Sequence, residues 1–254
     1  MTIDPAPASE HPELLRLVAL VDRFRGEGGC AWYEAQTHAS LVPYLQEETA
    51  ELIEAIEAGT ADDVREELGD VLFQVLFHAE VAGHSGGHDL EAVARDQADK
   101  LLRRNPHVFG PRATRDIDEI IRLWQEAKAV EKANRTSVLD GVAFGMPALA
   151  LADKVLGKAA QVGVGVAPEE LAVPAGRETD AGSESVAEHE SVAEHEAVAG
   201  RETDSGPEAD AEAAFGDALL ASVAAGREAG IDAERALRGA VRRLAERVRA
   251  AEAG

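Results

Sequence analysis

Apolar residues recur three and four positions apart along most of this chain, and no segment shows a convincing period-2 alternation. That pattern predicts helices over about 13–25, 41–57, 61–82, 89–103 and 115–133, and an all-α fold. In the second helix the apolar side is Leu45, Leu52, Ile53 and Ile56. In the third it is Val64, Leu68, Val71, Leu72, Val75 and Leu76. Glycines at 26, 28 and 29 stop the first helix, Gly83, Gly86 and Gly87 the third, and Asn105-Pro106 the fourth. Residues 58–62 form a turn, so the second and third helices fold back antiparallel. Ser40 stands where an N-cap would open the second helix, after a loop, 29–40, that carries Trp32 and His38.

Two acidic clusters interrupt this apolar pairing: Glu47, Glu48 and Glu51 in QEETAEL, and Glu66, Glu67 and Asp70 in REELGD. Glu48/Glu51 and Glu67/Asp70 are i,i+3 pairs, each on one helix face. An acidic pair at this spacing is usually a solvated face. Here two pairs face each other across a turn, and no Lys or Arg lies between residues 26 and 64. Carboxylates held that close repel unless a cation sits among them. Hard oxygen donors suit Mg²⁺ or Mn²⁺, and Mg²⁺ commonly accompanies phosphate-bearing substrates. The cluster therefore reads as a metal site for phosphate chemistry.

Basic residues form a further candidate. Lys100, Arg103 and Arg104 share one face just before PHVFG, an arrangement suited to a polyphosphate. Trp124 and Lys128 are also one turn apart. Trp32 lies in a glycine-flanked loop, where a large aromatic has less reason to be core.

EETAE followed by EELGD resembles the EExxE…ExxD signature of the all-α nucleoside triphosphate pyrophosphohydrolases, specifically the MazG family. CAWYEAQTHASLVPYLQEETAEL, DVLFQVLFHAEVA, KLLRRNPHVFG and WQEAKAVEK extend the likeness in unbroken order over about residues 14–147. The family's CPWD is here Cys30-Ala31-Trp32-Tyr33, keeping Trp32 but not the Pro or the Asp. The resemblance implies a helical bundle with two antiparallel metal helices, a homodimer, and hydrolysis of nucleoside triphosphates to monophosphate and pyrophosphate. It implies Mg²⁺, or Mn²⁺, on Glu48, Glu51, Glu67 and Asp70. Glu47 would handle the attacking water, and Lys100, Arg103 and Lys128 the leaving pyrophosphate. Trp32, Arg104 and Trp124 would contact the nucleotide. Alternatives are a narrower substrate (dUTP, dCTP or phosphoribosyl-ATP) and a non-catalytic helical interaction protein. Zinc is disfavoured by the spacing of His78, His84 and His88, a di-iron site by the lack of Glu-x-x-His, and motor-type NTPases by the lack of a P-loop.

Composition narrows the partners. The 254 residues carry a formal charge of -23, against a nucleic-acid or anionic-membrane surface. A single cysteine, Cys30, fits a reducing compartment, and with no signal-like N-terminus or long apolar run the cytoplasm is expected. Residues 1–12 read as a disordered arm. Residues 167–212 hold 14 Asp/Glu and 2 Arg, with overlapping ESVAEHE repeats and two copies of GRETD, and read as an acidic low-complexity disordered insert. Around it, 148–166 resembles the start of a second MazG copy and 213–254 a helical remnant of it. Gly216-Asp217 echoes Gly69-Asp70, but Ala214 stands at the position of Glu67. The second copy is expected to pack or dimerise without hydrolysing.

Overall fold

The computed structural model describes residues 11–165 and 207–252, with side chains in the second stretch from 211 onward. The described residues are all-α, with no strand among them. In order they form α1 (Pro12–Arg25), α2 (Ala31–Glu34), α3 (His38–Ala58), α4 (Ala61–His84), α5 (Leu90–Arg104), α6 (Pro106–Phe109), α7 (Ile117–Glu131), α8 (Ala148–Ala159), α9 (Pro207–Glu228) and α10 (Ala233–Glu252). Two compact units result, Met1–Ala133 and Asn134–Gly254.

In the first unit, α3 and α4 form an antiparallel hairpin, each opened by a capping box. Thr37 accepts from the backbone of Ser40, whose hydroxyl accepts from Thr37 N at 2.9 Å. Thr60 and Asp63 repeat the device at α4. Ser40 is therefore not the N-cap expected from sequence. The helix starts three residues earlier because Thr37 adopts the extended cap conformation and Ser40 serves from the third helical position. Between the helices the chain turns too tightly for a side chain at Gly59, where a Cβ would lie 2.8 Å from the Ala55 carbonyl oxygen. The expected loop 29–40 contains the short helix α2. Its Tyr33 stacks on Phe24 with centroids 4.4 Å apart and meets Phe77 edge-on at 5.1 Å.

The core gathers Val21 of α1, Leu41 of α3, and Leu76, Phe77 and Val81 of α4, with Leu17, Val18, Tyr33, Phe73 and Leu90 packed around it. Fully burying each such side chain stabilises by roughly 1.5–3 kcal/mol. This core lies toward the open end of the α3–α4 hairpin, away from its turn. It fixes the rotation of both helices about their axes, and hence which polar residues meet between them.

The second unit comprises α8, α9 and α10, with a 3₁₀ turn over Ala160–Val162. Residues 134–147, which the resemblance assigns to the first domain, group with this unit. Asp140 closes a turn there by accepting from the backbone of Thr136 and Ser137. Ala218, Ala221 and Val223 are the buried residues of α9, and Arg227 reaches Asp153 of α8 at 2.8 Å. Helix α9 begins at Pro207, so residues 207–212 are helical rather than the end of a disordered insert. Proline suits a first helical turn, and the Ala- and Glu-rich sequence that follows favours helix. The rest of that segment, and the N-terminal arm up to residue 10, lie outside the described residues.

Candidate metal centre

The α3–α4 hairpin brings the two acidic clusters face to face. Glu48, Glu67 and Asp70 each place a carboxylate oxygen within 4.8 Å of the others. Glu51 is close enough to act electrostatically on both Glu48 and Glu67, and Glu47 acts on Glu48. The Glu48 carboxyl is raised above the ordinary carboxylate range by burial, then by the charges of Asp70 and Glu51. Glu67 is raised by burial, then by Glu51 and Asp70, with Glu66 and Glu48 adding to it. Its Oε2 is shut from solvent with no hydrogen-bond partner. A cavity of about 380 Å³ at the turn is lined by Glu51, Glu54, Gly59, Asp63 and Glu67. Partly desolvated carboxylates with an unsatisfied oxygen, outside the ion pairs found among the described residues, are the donor set a hard divalent cation needs.

The seam continues past the carboxylates. Asp70, Gln74 and His78 follow one another at four-residue intervals, which puts them on one face of α4. Gln74 is buried, and it offsets part of the upward shift of Glu48. His78 stacks on His38 with the rings 5° from parallel, and their Nδ1 atoms lie 2.8 Å apart, so one donates and the other accepts. Burial, and then the neighbouring His38, hold His78 below its ordinary value. Gln74 and the His38–His78 pair escaped the sequence reading. The available signal was the spacing itself, two polar residues one turn apart inside DVLFQVLFH.

The basic and aromatic candidates assemble elsewhere in the first unit, between α5 and α7. Arg104 pairs with Glu131 at 2.5 Å and lies 5.5 Å from the Trp124 ring, while Arg103 reaches Glu131 at 3.5 Å. Lys128 sits over the same ring at 4.3 Å. Lys100 approaches Gln97 at 3.5 Å. Arg103 and Arg104 thus converge on Glu131, and Arg104 and Lys128 on the Trp124 ring. Glu131 is held below the carboxylate range chiefly by its bond to Arg104. Trp32 is half-exposed, edge-on to Tyr33 at 4.9 Å and to Tyr44 at 5.9 Å. Tyr44 precedes Glu48 by one turn of α3.

Residues 36–109, which include both acidic clusters and the basic end of α5, match the MazG nucleotide pyrophosphohydrolase domain. An uncharacterized 26.1 kDa protein of Streptomyces cacaoi is 44% identical over 165 residues, 64% of this chain and 67% of that one. The chain belongs to the MazG family. Among other relatives, the nucleoside triphosphate pyrophosphohydrolase of Escherichia coli strain K12 is 40% identical over 58% of this chain and 57% of its own length. The nucleoside triphosphate pyrophosphohydrolase of Mycobacterium tuberculosis is 43% identical over 63% and 49%. The chain spans about half to two thirds of the length of these curated relatives. A crystal structure of a mazG-related protein from Thermotoga maritima is 29% identical, with a TM-score of 0.40 over 45% of this chain and 97% of that one. No helix among the described residues is long and apolar enough to cross a membrane.

Proposed function

We propose that this MazG protein hydrolyses nucleoside triphosphates, standard or aberrant, to nucleoside monophosphate and pyrophosphate with Mg²⁺ as cofactor, Mn²⁺ substituting. The observation that carries the reading is the convergence of Glu48, Glu67 and Asp70 within 4.8 Å, with the Oε2 of Glu67 buried and unpartnered. Glu51 completes the donor set from the next turn of α3. When bound, the cation offsets charge on the phosphoryl oxygens and makes water more acidic. Glu47, on the same helix, orients water for attack on the α-phosphorus and accepts its proton as the bond to pyrophosphate breaks.

Lys100, Arg103 and Lys128 neutralise the departing pyrophosphate, and Arg104 and Trp124 hold the nucleotide. For Arg103 and Arg104 this requires exchanging Glu131 for a phosphate. Trp32, half-exposed beside Tyr44, offers a stacking face to a base. The partner is a second copy of this chain, in a cytoplasmic enzyme that binds neither nucleic acid nor membrane. Leu68, Leu72 and Val75 support this dimer, being an exposed apolar stripe at four- and three-residue spacing on α4.

The test is product analysis of the purified protein with Mg²⁺ and a panel of NTPs and dNTPs. Monophosphate and pyrophosphate in equal amounts are expected. Release of orthophosphate, or no turnover together with no Mg²⁺ binding, would overturn the reading.

A further inference from the structure

Gln74 is the one polar residue in the run Val71-Leu72-Phe73-Gln74-Val75-Leu76-Phe77, and it is only 4% exposed. Burying a carboxamide without full compensation costs about 1–3 kcal/mol, and a packed apolar side chain would avoid that cost. The compensation found is partial. The amide acts on the Glu48 carboxyl across the hairpin, lowering it, while its Oε1 is buried with no partner. A half-satisfied amide is a poor device for holding α3 to α4, since Val21, Leu41, Leu76, Phe77 and Val81 already supply the core. One turn before it on the same face stands Asp70, a carboxylate of the cation site.

We propose that Gln74 is a positioning residue for that site, its amide N–H fixing the Glu48 carboxylate so that an oxygen stays directed toward Glu67 and Asp70. This rests on the proposed cation site. A hydrogen bond to one carboxylate oxygen restricts rotation of the group and leaves the other oxygen as a donor to a cation. The matching position in the echo on α9 is Ala221, where no carboxylate cluster faces the helix among the described residues.

The test uses the full chain with Gln74→Met, an unbranched apolar replacement of similar length, and Gln74→Leu as a second shape. Mg²⁺ affinity is measured by calorimetry without nucleotide, and Tm is measured in EDTA. Both variants are expected to keep the EDTA Tm at or above wild type while Mg²⁺ affinity falls about 10–100-fold. Raising Mg²⁺ should then restore turnover with the nucleotide KM unchanged. Wild-type Mg²⁺ affinity in a folded variant would overturn the assignment. So would unfolding of both variants in EDTA, which would make the amide a fold-holding group. Failure of the wild-type protein itself to bind Mg²⁺ would instead strike the proposed function.

Discussion

Helices α4 and α9 carry the same Gly-Asp start and part company immediately after it. In α4, Gly69-Asp70 is flanked by Glu67 and followed at one-turn intervals by Gln74 and His78. In α9, Gly216-Asp217 is flanked by Ala214 and followed at the matching positions by Ala221 and Ala225. Both segments are helical, so the polar residues of α4 are not what makes it a helix. They also do not serve its core, which is built from Leu76, Phe77 and Val81. Alanine at 218 and 221 is buried in α9, giving small-residue packing and no polar seam. Asp217 and Asp70 are both exposed, but of the two only Asp70 shares a 4.8 Å cluster, with Glu48 and Glu67, among the described residues. The same local motif is thus part of a carboxylate cluster in one unit and a helix surface in the other. The difference is an opposing acidic helix, which α3 provides for α4.

The sharpest way to break this comparison is Glu48→Gln. It should cost on the order of 10³-fold in turnover, together with loss of specific Mg²⁺ binding, because cation-based charge stabilisation is worth several kcal/mol. A variant that still binds Mg²⁺ and turns over normally would remove the site from α3 and α4. Next comes the matched pair Asp70→Asn and Asp217→Asn. The first should lower kcat/KM by about 100-fold and the second by less than about twofold. Equal losses would make the second unit a working site and end the contrast.

A smaller effect is expected from restoring the missing amide. Ala221→Gln should destabilise the chain by about 1–3 kcal/mol in urea unfolding through overpacking of a buried alanine, without changing Mg²⁺ affinity. Gain of a cation site there would contradict the importance given to the opposing helix.

The smallest effect concerns pH. His78 is held below its ordinary value of 6.5, so the unfolded chain binds this proton more readily than the folded one. Its contribution to stability is full above the ordinary histidine range and is lost as pH falls from there toward the depressed folded value. The urea midpoint should therefore decline as pH drops from about 7.5 to 5.5. His78→Phe should flatten that slope, and an unchanged slope would place the proton elsewhere.

Much of the first unit was legible in residue order. The helices came within a few residues of their observed ends because apolar spacing is a property of each helix alone. The meeting of Glu48 with Glu67 and Asp70 was legible because a short turn leaves two adjacent helices little choice but to pair. Ser40 misled because capping residues three positions apart are interchangeable in sequence, and only backbone conformation separates Thr37 as the cap from Ser40 at the third position. The Arg103–Arg104–Glu131 contact joins residues 27 and more positions apart, which no local spacing encodes.

The sequence by itself determined the helices, the pairing of α3 with α4, the excess of carboxylates without counter-charges and the family to which the chain belongs. These follow from periodicity and composition, which are read along the chain. Tertiary structure alone decided which oxygens converge, that Gln74 is buried, that His38 meets His78, and that Asp217 stands apart from any cluster among the described residues. Those outcomes depend on how far each helix is rotated about its axis. That rotation is set by the packing of Val21, Leu41, Leu76, Phe77 and Val81, residues that carry none of the site's chemistry.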